Sequence, residues 1–201
     1  METMVTTERR RDVTLTLPDD FLPVNDEYQP FRIIERRNFM QTKLEVPALV
    51  KTMKLPCNKR ILEIGCGPGI ALVPLAKLCK PARLVGIDID DLLLKQAQSR
   101  LRENHIRVEL YQEDVRNLPF PDESFDIVID FGTCYHINRR VRALKEITRV
   151  LAPGGTFAYE TPLVQLLAHP VRSFRKRVPW KLAPNLQPER AWILWASRTK
   201  R

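Results

Sequence analysis

The feature that most constrains the fold of this chain is a glycine-rich turn directly after a short apolar run. Residues 60–64 (RILEI) have the length and apolar character of a strand buried on both faces, and residues 69–78 then turn to helical spacing. Between them, Gly65, Gly67 and Gly69 occupy alternate positions. Glycine permits positive φ and close approach of a ligand to the backbone, and a helix N-terminus offers unpaired N–H groups. The turn therefore predicts a nucleotide-binding site on an α/β fold.

The spacing of these glycines departs from the dinucleotide-binding pattern. That pattern requires G-x-G-x-x-G, and counting from Gly65 its third glycine would fall at position 70, where this chain has Ile70. The spacing is instead E-x-G-x-G-x-G, beginning at Glu63.

This string, Glu63 to Gly69, resembles motif I of the class I S-adenosylmethionine-dependent methyltransferases, and the resemblance extends from about Lys59 to Glu160. Four further segments carry it: residues 85–90 (VGIDID) resemble the second strand, 113–115 (EDV) the third acidic loop, 125–130 (FDIVID) the fourth strand and 149–155 (RVLAPGG) the turn before the fifth. The resemblance implies S-adenosylmethionine as the cofactor.

Two acids are central to the implied cofactor site. The resemblance assigns Asp88 to the ribose hydroxyls and Asp114 to the adenine amino group. A carboxylate can accept hydrogen bonds from both hydroxyls, and Asp88 follows Glu63 by 25 positions, a strand–helix–strand interval. The alternative is that Asp88 only caps the next helix. The full set of predicted cofactor-binding residues is Glu63, Gly65, Cys66, Gly67, Gly69, Asp88, Ile89, Asp114, Val115, Asp130 and Phe131.

Strands that alternate with helices predict an α/β, doubly wound, mostly parallel Rossmann-like sheet in three α/β/α layers. Residues 191–197 resemble the family's antiparallel seventh strand, and no sixth strand is recognisable between residues 161 and 190. The other predicted strands are 60–64, 83–88, 108–112, 125–130 and 156–160, and the predicted helices after the glycine turn include 91–103 and 138–151.

The chain is predicted to contain one domain. Residues 1–40 are interpreted as a flexible N-terminal arm and lid, and residues 41–201 as a single S-adenosylmethionine-binding methyltransferase domain with a basic, shortened C-terminal region at 161–201. In the family, N-terminal helices often close over the cofactor and shape the substrate pocket. The predicted helices at 31–39 and 44–53 therefore make Tyr28, Phe31 and Phe39 candidate substrate-pocket residues, with plain packing as the alternative.

The net charge of +9 is unevenly distributed. Residues 161–201 contain nine basic residues and one acid, so they carry +8 of it. Arg172, Arg175, Lys176 and Arg177 could form one basic patch for an anionic small molecule, a nucleic acid or an anionic membrane face, although solubility alone is the commoner reason for such charge.

Other features predict a cytoplasmic protein. No apolar run approaches the roughly 20 residues that span a bilayer, and the first 11 residues contain no apolar region of a signal peptide. The four cysteines form no C-x-x-C pair, which indicates neither disulfides nor a zinc site.

Methyl transfer from a sulfonium is an in-line displacement that depends on alignment and on exclusion of water. A base is needed only if the acceptor holds its proton. His136, after the fourth predicted strand, is the candidate base and Tyr135 lies beside it, although His136 is as well explained by a structural role.

Two absent motifs bear on the acceptor. Asp130 is followed by Phe131-Gly132-Thr133, whereas relatives that methylate exocyclic amino groups of bases usually have Pro-Pro-Tyr there. Residues 160–162 lack the acid–asparagine pair of metal-dependent catechol-type relatives, so no metal is implied.

These observations favour a methyltransferase for a small-molecule acceptor, with an anionic acceptor as one option. Two alternatives remain open at this point: methylation of RNA or another polyanion through the basic region, and a non-catalytic S-adenosylmethionine-binding module that regulates a partner. The acceptor atom and the oligomeric state are not determined by the sequence.

Overall fold

A computed structural model describes residues 34–161, 185–191 and 195–201. The described chain forms a seven-stranded sheet with helices on both faces. The elements in chain order are α1 Ile34–Met40, a π-helical turn Gln41–Glu45, α2 Val46–Met53, β1 Arg60–Ile64, α3 Leu72–Cys79, β2 Arg83–Asp88, α4 Asp91–Glu103, β3 Glu109–Gln112, β4 Phe125–Asp130, α5 Thr133–His136, α6 Arg140–Val150, β5 Leu151–Glu160, β6 Leu186–Ala191 and β7 Trp195–Lys200.

The strand order is β3-β2-β1-β4-β5-β7-β6. Strands β1 to β5 pair in parallel, and β7 pairs antiparallel with both β5 and β6. From β1 the chain continues to β2 and β3 on one side of the sheet, and from β4 it continues to β5 on the other side. The strand order therefore reverses between the neighbouring strands β1 and β4. In such sheets, ligands bind at the carboxyl ends of the strands beside this switch point. The predicted doubly wound, mostly parallel sheet with an antiparallel C-terminal strand is confirmed.

The predicted single strand at 191–197 is wrong. Strand β6 ends at Ala191 and β7 begins at Trp195, and Ala191 pairs with Ala196 across an antiparallel ladder. The sixth strand that the sequence did not reveal is therefore present as β6. Its sequence, LQPERA, lacks an apolar run and contains Pro188, a composition that an edge strand tolerates.

Apolar residues on the two faces of the sheet form two separate cores. On one face, Leu62 and Ile64 of β1 pack in a cluster with Leu144 and Ile147 of α6. On the other face, Ile61 belongs to a second cluster, whose members from α2, α3 and α4 include Val46, Leu49, Leu75 and Leu101. Because burying one such side chain stabilises a fold by about 1.5–3 kcal/mol, both clusters hold the central strands firmly. This arrangement confirms the three layers.

The helical segment from α1 to α2 lies across the second face. Val46 and Leu49 are fully buried in the core there. At its other end Arg37 forms an ion pair with Glu160, the last residue of β5, at 3.5 Å. The segment therefore runs against the strand direction, with α1 at the carboxyl ends of the strands. None of the helices in the described ranges is long and apolar enough to cross a membrane.

Candidate active site

The three glycines after β1 all have positive φ, of +62°, +50° and +73°, but their surroundings differ. A Cβ on Gly65 would lie 1.9 Å from Oγ1 of Thr133, and one on Gly69 would lie 2.9 Å from Cβ of Ala97 in α4. A Cβ on Gly67 would meet no atom of the described structure within 4 Å. Packing therefore explains Gly65 and Gly69, while Gly67 presents bare backbone to an open side of the turn.

Asp88 connects the end of β2 to this turn. Its Oδ2 accepts a hydrogen bond from the main-chain N–H of Gly67 at 2.7 Å, and its Oδ1 accepts one from Asp90 at 3.0 Å. Burial raises the pKa of Asp88, and these N–H groups partly offset the rise. The N-cap of α4 is Asp90, whose Oδ1 accepts from Leu92 and Leu93. The alternative interpretation of Asp88 as the helix cap is therefore wrong.

Glu63 is a buried acid one residue before the end of β1, a central strand of the sheet. It is 2% exposed, and in the described part of the chain its Oε2 has no hydrogen-bond partner. Burial raises the pKa of Glu63 well above its usual value, and the carboxylates of Asp88 and Asp130 raise it further. A buried acid without a hydrogen-bond partner at Oε2 is costly unless a donor or a positive charge is supplied. The site is thus electrostatically suited to a cationic ligand.

Asp130 ends β4 and shapes the turn into α5. It is 1% exposed, and its Oδ1 and Oδ2 accept from the main-chain N–H groups of Gly132 at 2.8 Å and Cys134 at 3.1 Å. Burial raises the pKa of Asp130, and these donors oppose the rise. Phe131, which follows it, is half-buried. The observed contacts give Asp130 a structural role in positioning α5, and its predicted contact with a cofactor stays a prediction.

The acidic loop after β3 is held by an arginine that sequence reasoning missed. Nε of Arg116 lies 3.0 Å from both carboxylate oxygens of Asp114, and the Arg116 main-chain N–H donates to Oδ1 at 2.9 Å. Arg142 of α6 donates to the Arg116 carbonyl at 2.9 Å. Val115, which lies between Asp114 and Arg116, is buried. Ile89, directly after β2, is half-buried. The signal available in the sequence was a basic residue, Arg116, two positions after Asp114, the acid predicted to bind adenine.

The residues predicted to face the acceptor lie after β4. Tyr135 in α5 is 7% exposed, and burial is the main cause that raises its pKa, so the phenol stays protonated near neutral pH. The carboxylates of Asp130 and Glu160 add to this rise. His136 is the last residue of α5 and is half-buried. Tyr159 and Glu160 are buried at the adjoining end of β5.

The topology brings most of the predicted site residues to one edge of the sheet. Glu63 precedes the glycine turn after β1, and Asp88, Asp114 and Asp130 lie at or just after the ends of β2, β3 and β4. Phe39, a candidate for the pocket wall, is instead 59% exposed on α1. The remaining predicted substrate and basic-patch residues lie outside the described residues: Tyr28, Phe31, Arg172, Arg175, Lys176 and Arg177.

This donor set fits S-adenosylmethionine, which carries a positive sulfonium and ammonium beside a nucleoside. The buried Oε2 of Glu63 is suited to a positive group, and the open side of Gly67 gives backbone access beside the Asp88 carboxylate.

Comparison with known proteins agrees with this geometry. Residues 62–159 match the family model described as a methyltransferase domain. The fatty-acid O-methyltransferase of Mycolicibacterium smegmatis is 39% identical over 102 residues, and the match covers 51% of this chain and 36% of that protein. The phthiotriol/phenolphthiotriol dimycocerosates methyltransferase of Mycobacterium leprae is also 39% identical over 102 residues, covering 51% and 37%. The similarity thus spans little more than a third of these relatives.

Solved structures share the fold. A Pyrococcus horikoshii protein superposes with a TM-score of 0.64 at 24% identity, covering 89% of this chain and 97% of that one. A SAM-dependent methyltransferase from Aquifex aeolicus gives a TM-score of 0.63 at 16% identity, covering 81% and 92%. The family match over residues 62–159, the strand order and the glycine turn are those of the class I S-adenosylmethionine-dependent methyltransferase fold.

Proposed function

We propose that the protein transfers the methyl group of S-adenosylmethionine to a small-molecule acceptor. The observation that carries the proposal is the pairing of two features at the switch point of the sheet. One is the buried Oε2 of Glu63, which lacks a hydrogen-bond partner in the described structure. The other is the open backbone of Gly67, which is tied to Asp88. A nucleoside that carries a positive group could lie against the backbone of Gly67 and supply a charge partner for Glu63.

Four acids and one aromatic residue would hold this cofactor. Asp88 has lone pairs beyond those used by Gly67 and Asp90, and these can accept from the ribose hydroxyls. Glu63 would neutralise a positive group of the methionine part. Asp114, fixed by Arg116, would accept from the adenine amino group. Asp130 and Phe131, at the end of β4, would line the side of the cofactor site next to β1.

The chain's own residues then act by alignment, by exclusion of water and, where the acceptor is an alcohol, by taking its proton. The bound cofactor supplies an activated methyl group on its sulfonium. Tyr135 of α5 and Tyr159 near the end of β5 are buried beside the predicted acceptor side, where they would help to exclude water. His136 would orient the acceptor or take its proton on an imidazole nitrogen, as histidine commonly does in general acid–base catalysis.

The acceptor class we favour is a lipid-like molecule with an oxygen nucleophile. The two relatives described above are named for a fatty acid and for phthiotriol/phenolphthiotriol dimycocerosates, and each match covers 51% of this chain. Buried tyrosines beside the predicted acceptor side agree with an apolar partner. The anionic head of a fatty acid would also satisfy the prediction of an anionic acceptor. The cytoplasmic location stays a prediction from composition.

The test is transfer of a labelled methyl group from S-adenosylmethionine to a panel of acceptors. The panel contains a long-chain fatty acid, a lipid alcohol, a small aromatic amine and single-stranded RNA. We expect label in the fatty acid or the lipid alcohol, and less label with Asp88→Ala when the cofactor is subsaturating. Label in RNA alone would replace the proposal by the polyanion alternative. Tight cofactor binding without label in any acceptor would replace it by the regulatory module.

A further inference from the structure

The exposed apolar side chains of this protein are concentrated on one short stretch. Among the described residues, three large apolar side chains that face solvent lie within positions 39–44: Phe39 at 59% exposure, Met40 at 37% and Leu44 at 52%. Two others stand apart, Leu78 on α3 and Leu92 on α4. Single exposed apolar residues are ordinary, whereas a cluster on one element indicates a contact surface. We call Phe39, Met40 and Leu44 the α1 face.

The π-helical turn Gln41–Glu45 gives this face its shape. The main-chain N–H of Val46 donates to the carbonyl of Gln41, five residues earlier. With this spacing, residues four or five apart lie over one another, so Leu44 follows Phe39 and Met40 on the outer side. Val46 and Leu49, which come next, are fully buried. The apolar residues of this segment therefore divide between the core and an outward face that the core does not use.

An ion pair places the α1 face beside the active-site edge. Arg37, on the same helix, is only 15% exposed and contacts both Glu45 and Glu160. Glu160 is 1% exposed and ends β5, next to the buried Tyr159. The outward face thus lies within two helical turns of the carboxyl ends of β4 and β5, where the acceptor is expected.

The charge around this face is positive. Residues 34–54 contain five basic and two acidic residues, and one of the acids, Glu45, is paired with Arg37. Lys43 lies next to Leu44 and Lys51 lies seven residues after it, and both lysines are exposed. Apolar side chains flanked by exposed lysines are typical of helices that lie in the interface of an anionic lipid layer.

We propose that the α1 face docks on an anionic lipid surface and brings the active-site edge to a lipid acceptor. The proposal deepens the function proposed above and rests on it for the identity of the acceptor. The small size of the face favours lipid over protein, because a stable protein interface buries roughly 800 Å² on each partner. Shallow insertion between headgroups requires only a few apolar side chains with neighbouring bases.

The test is co-sedimentation of the full chain with vesicles of phosphatidylcholine alone or mixed equally with phosphatidylglycerol. We expect the parent chain to bind the mixed vesicles. The variant Phe39→Ser/Met40→Ser/Leu44→Ser should bind them with an affinity lower by about tenfold or more. The matched control is Leu78→Ser/Leu92→Ser, which removes the two exposed leucines on α3 and α4 and should bind as the parent does. The variant Lys43→Glu/Lys51→Glu should lose the preference for the anionic vesicles.

Three results would overturn the proposal: no vesicle binding by the parent chain, equal losses in the triple variant and its control, or a concentration-dependent dimer that the triple variant abolishes. The last would assign the face to a second copy. Methyl transfer to a detergent-dispersed fatty acid, measured on the same samples, separates this proposal from the proposed function. Vesicle binding without transfer contradicts only the function, and transfer without vesicle binding contradicts only the docking.

Discussion

The main-chain N–H of Gly67 donates to Oδ2 of Asp88 across 2.7 Å, so the turn after β1 and the end of β2 form one unit. The carboxylate fixes the conformation of Gly67, whose φ is +50° and beside which a Cβ would meet no described atom within 4 Å. It also keeps lone pairs for a ligand. Cofactor binding and the shape of the turn should therefore respond together when Asp88 is changed.

Asp88→Ala should weaken binding of S-adenosylmethionine by about 1–3 kcal/mol, because the ribose hydroxyls would lose their acceptor. Isothermal titration calorimetry measures the loss. Asp91→Ala is the matched control, since Asp91 lies three residues on, is exposed and pairs with Lys95. An equal loss of affinity in both variants would contradict the assigned role of Asp88.

Gly67→Ala and Gly154→Ala should differ in binding although their strain is similar. Both glycines have positive φ, and a Cβ at either position meets no described atom within 4 Å, so each variant should lose about 1–2 kcal/mol of stability. Only Gly67 lies in the turn, where a new methyl group would obstruct the cofactor. Chemical denaturation and calorimetry together test this, and unchanged cofactor affinity in Gly67→Ala would refute it.

Gly65→Ala should destabilise the fold more than Gly67→Ala. Its Cβ would lie 1.9 Å from Oγ1 of Thr133, so overpacking adds about 1–3 kcal/mol to the backbone strain. In the double variant Gly65→Ala/Thr133→Ala, part of the loss should be recovered because the nearest atom is removed. Additive losses in denaturation experiments would show that Thr133 is not the cause.

Glu63→Gln should change how stability depends on pH. The pKa of Glu63 is higher in the folded than in the unfolded chain, so the parent without cofactor is most stable below the unfolded-state pKa. It loses stability as pH rises through the folded-state pKa. The neutral glutamine removes this loss while the raised pKa values of Asp88 and Asp130 affect both proteins.

At pH 8, thermal melts without cofactor should therefore show Glu63→Gln to be more stable than the parent. With S-adenosylmethionine the order should reverse, because the cation would have lost its carboxylate. A variant that is less stable at every pH, with unchanged cofactor affinity, would mean that Glu63 only fills space.

His136→Ala should lower the turnover number by about 10²–10⁴-fold while cofactor affinity stays close to that of the parent, if the imidazole takes the acceptor's proton. Turnover is expressed per folded molecule, so denaturation curves accompany the kinetics. A drop in stability with an unchanged rate would make His136 a structural residue at the end of α5.

The sequence predicted the parts of this fold that have a strong local signal. The helix at 91–103 is confirmed as α4, because its apolar residues keep one face and Asp90 caps it. Strand β6 was missed because an edge strand needs no apolar run, and its sequence LQPERA contains none. The clamp of Arg116 on Asp114 was missed because a side chain turning back on its own loop leaves no periodicity.

We expect this chain to bind S-adenosylmethionine at the turn after β1. Calorimetric titration of the full chain with S-adenosylmethionine, S-adenosylhomocysteine and NAD tests it most directly. We expect dissociation constants on the order of 1 μM or tighter for the first two, about −8 kcal/mol of binding free energy, and no measurable heat with NAD. Binding of NAD with similar affinity, or no binding of either S-adenosyl compound, would contradict the account.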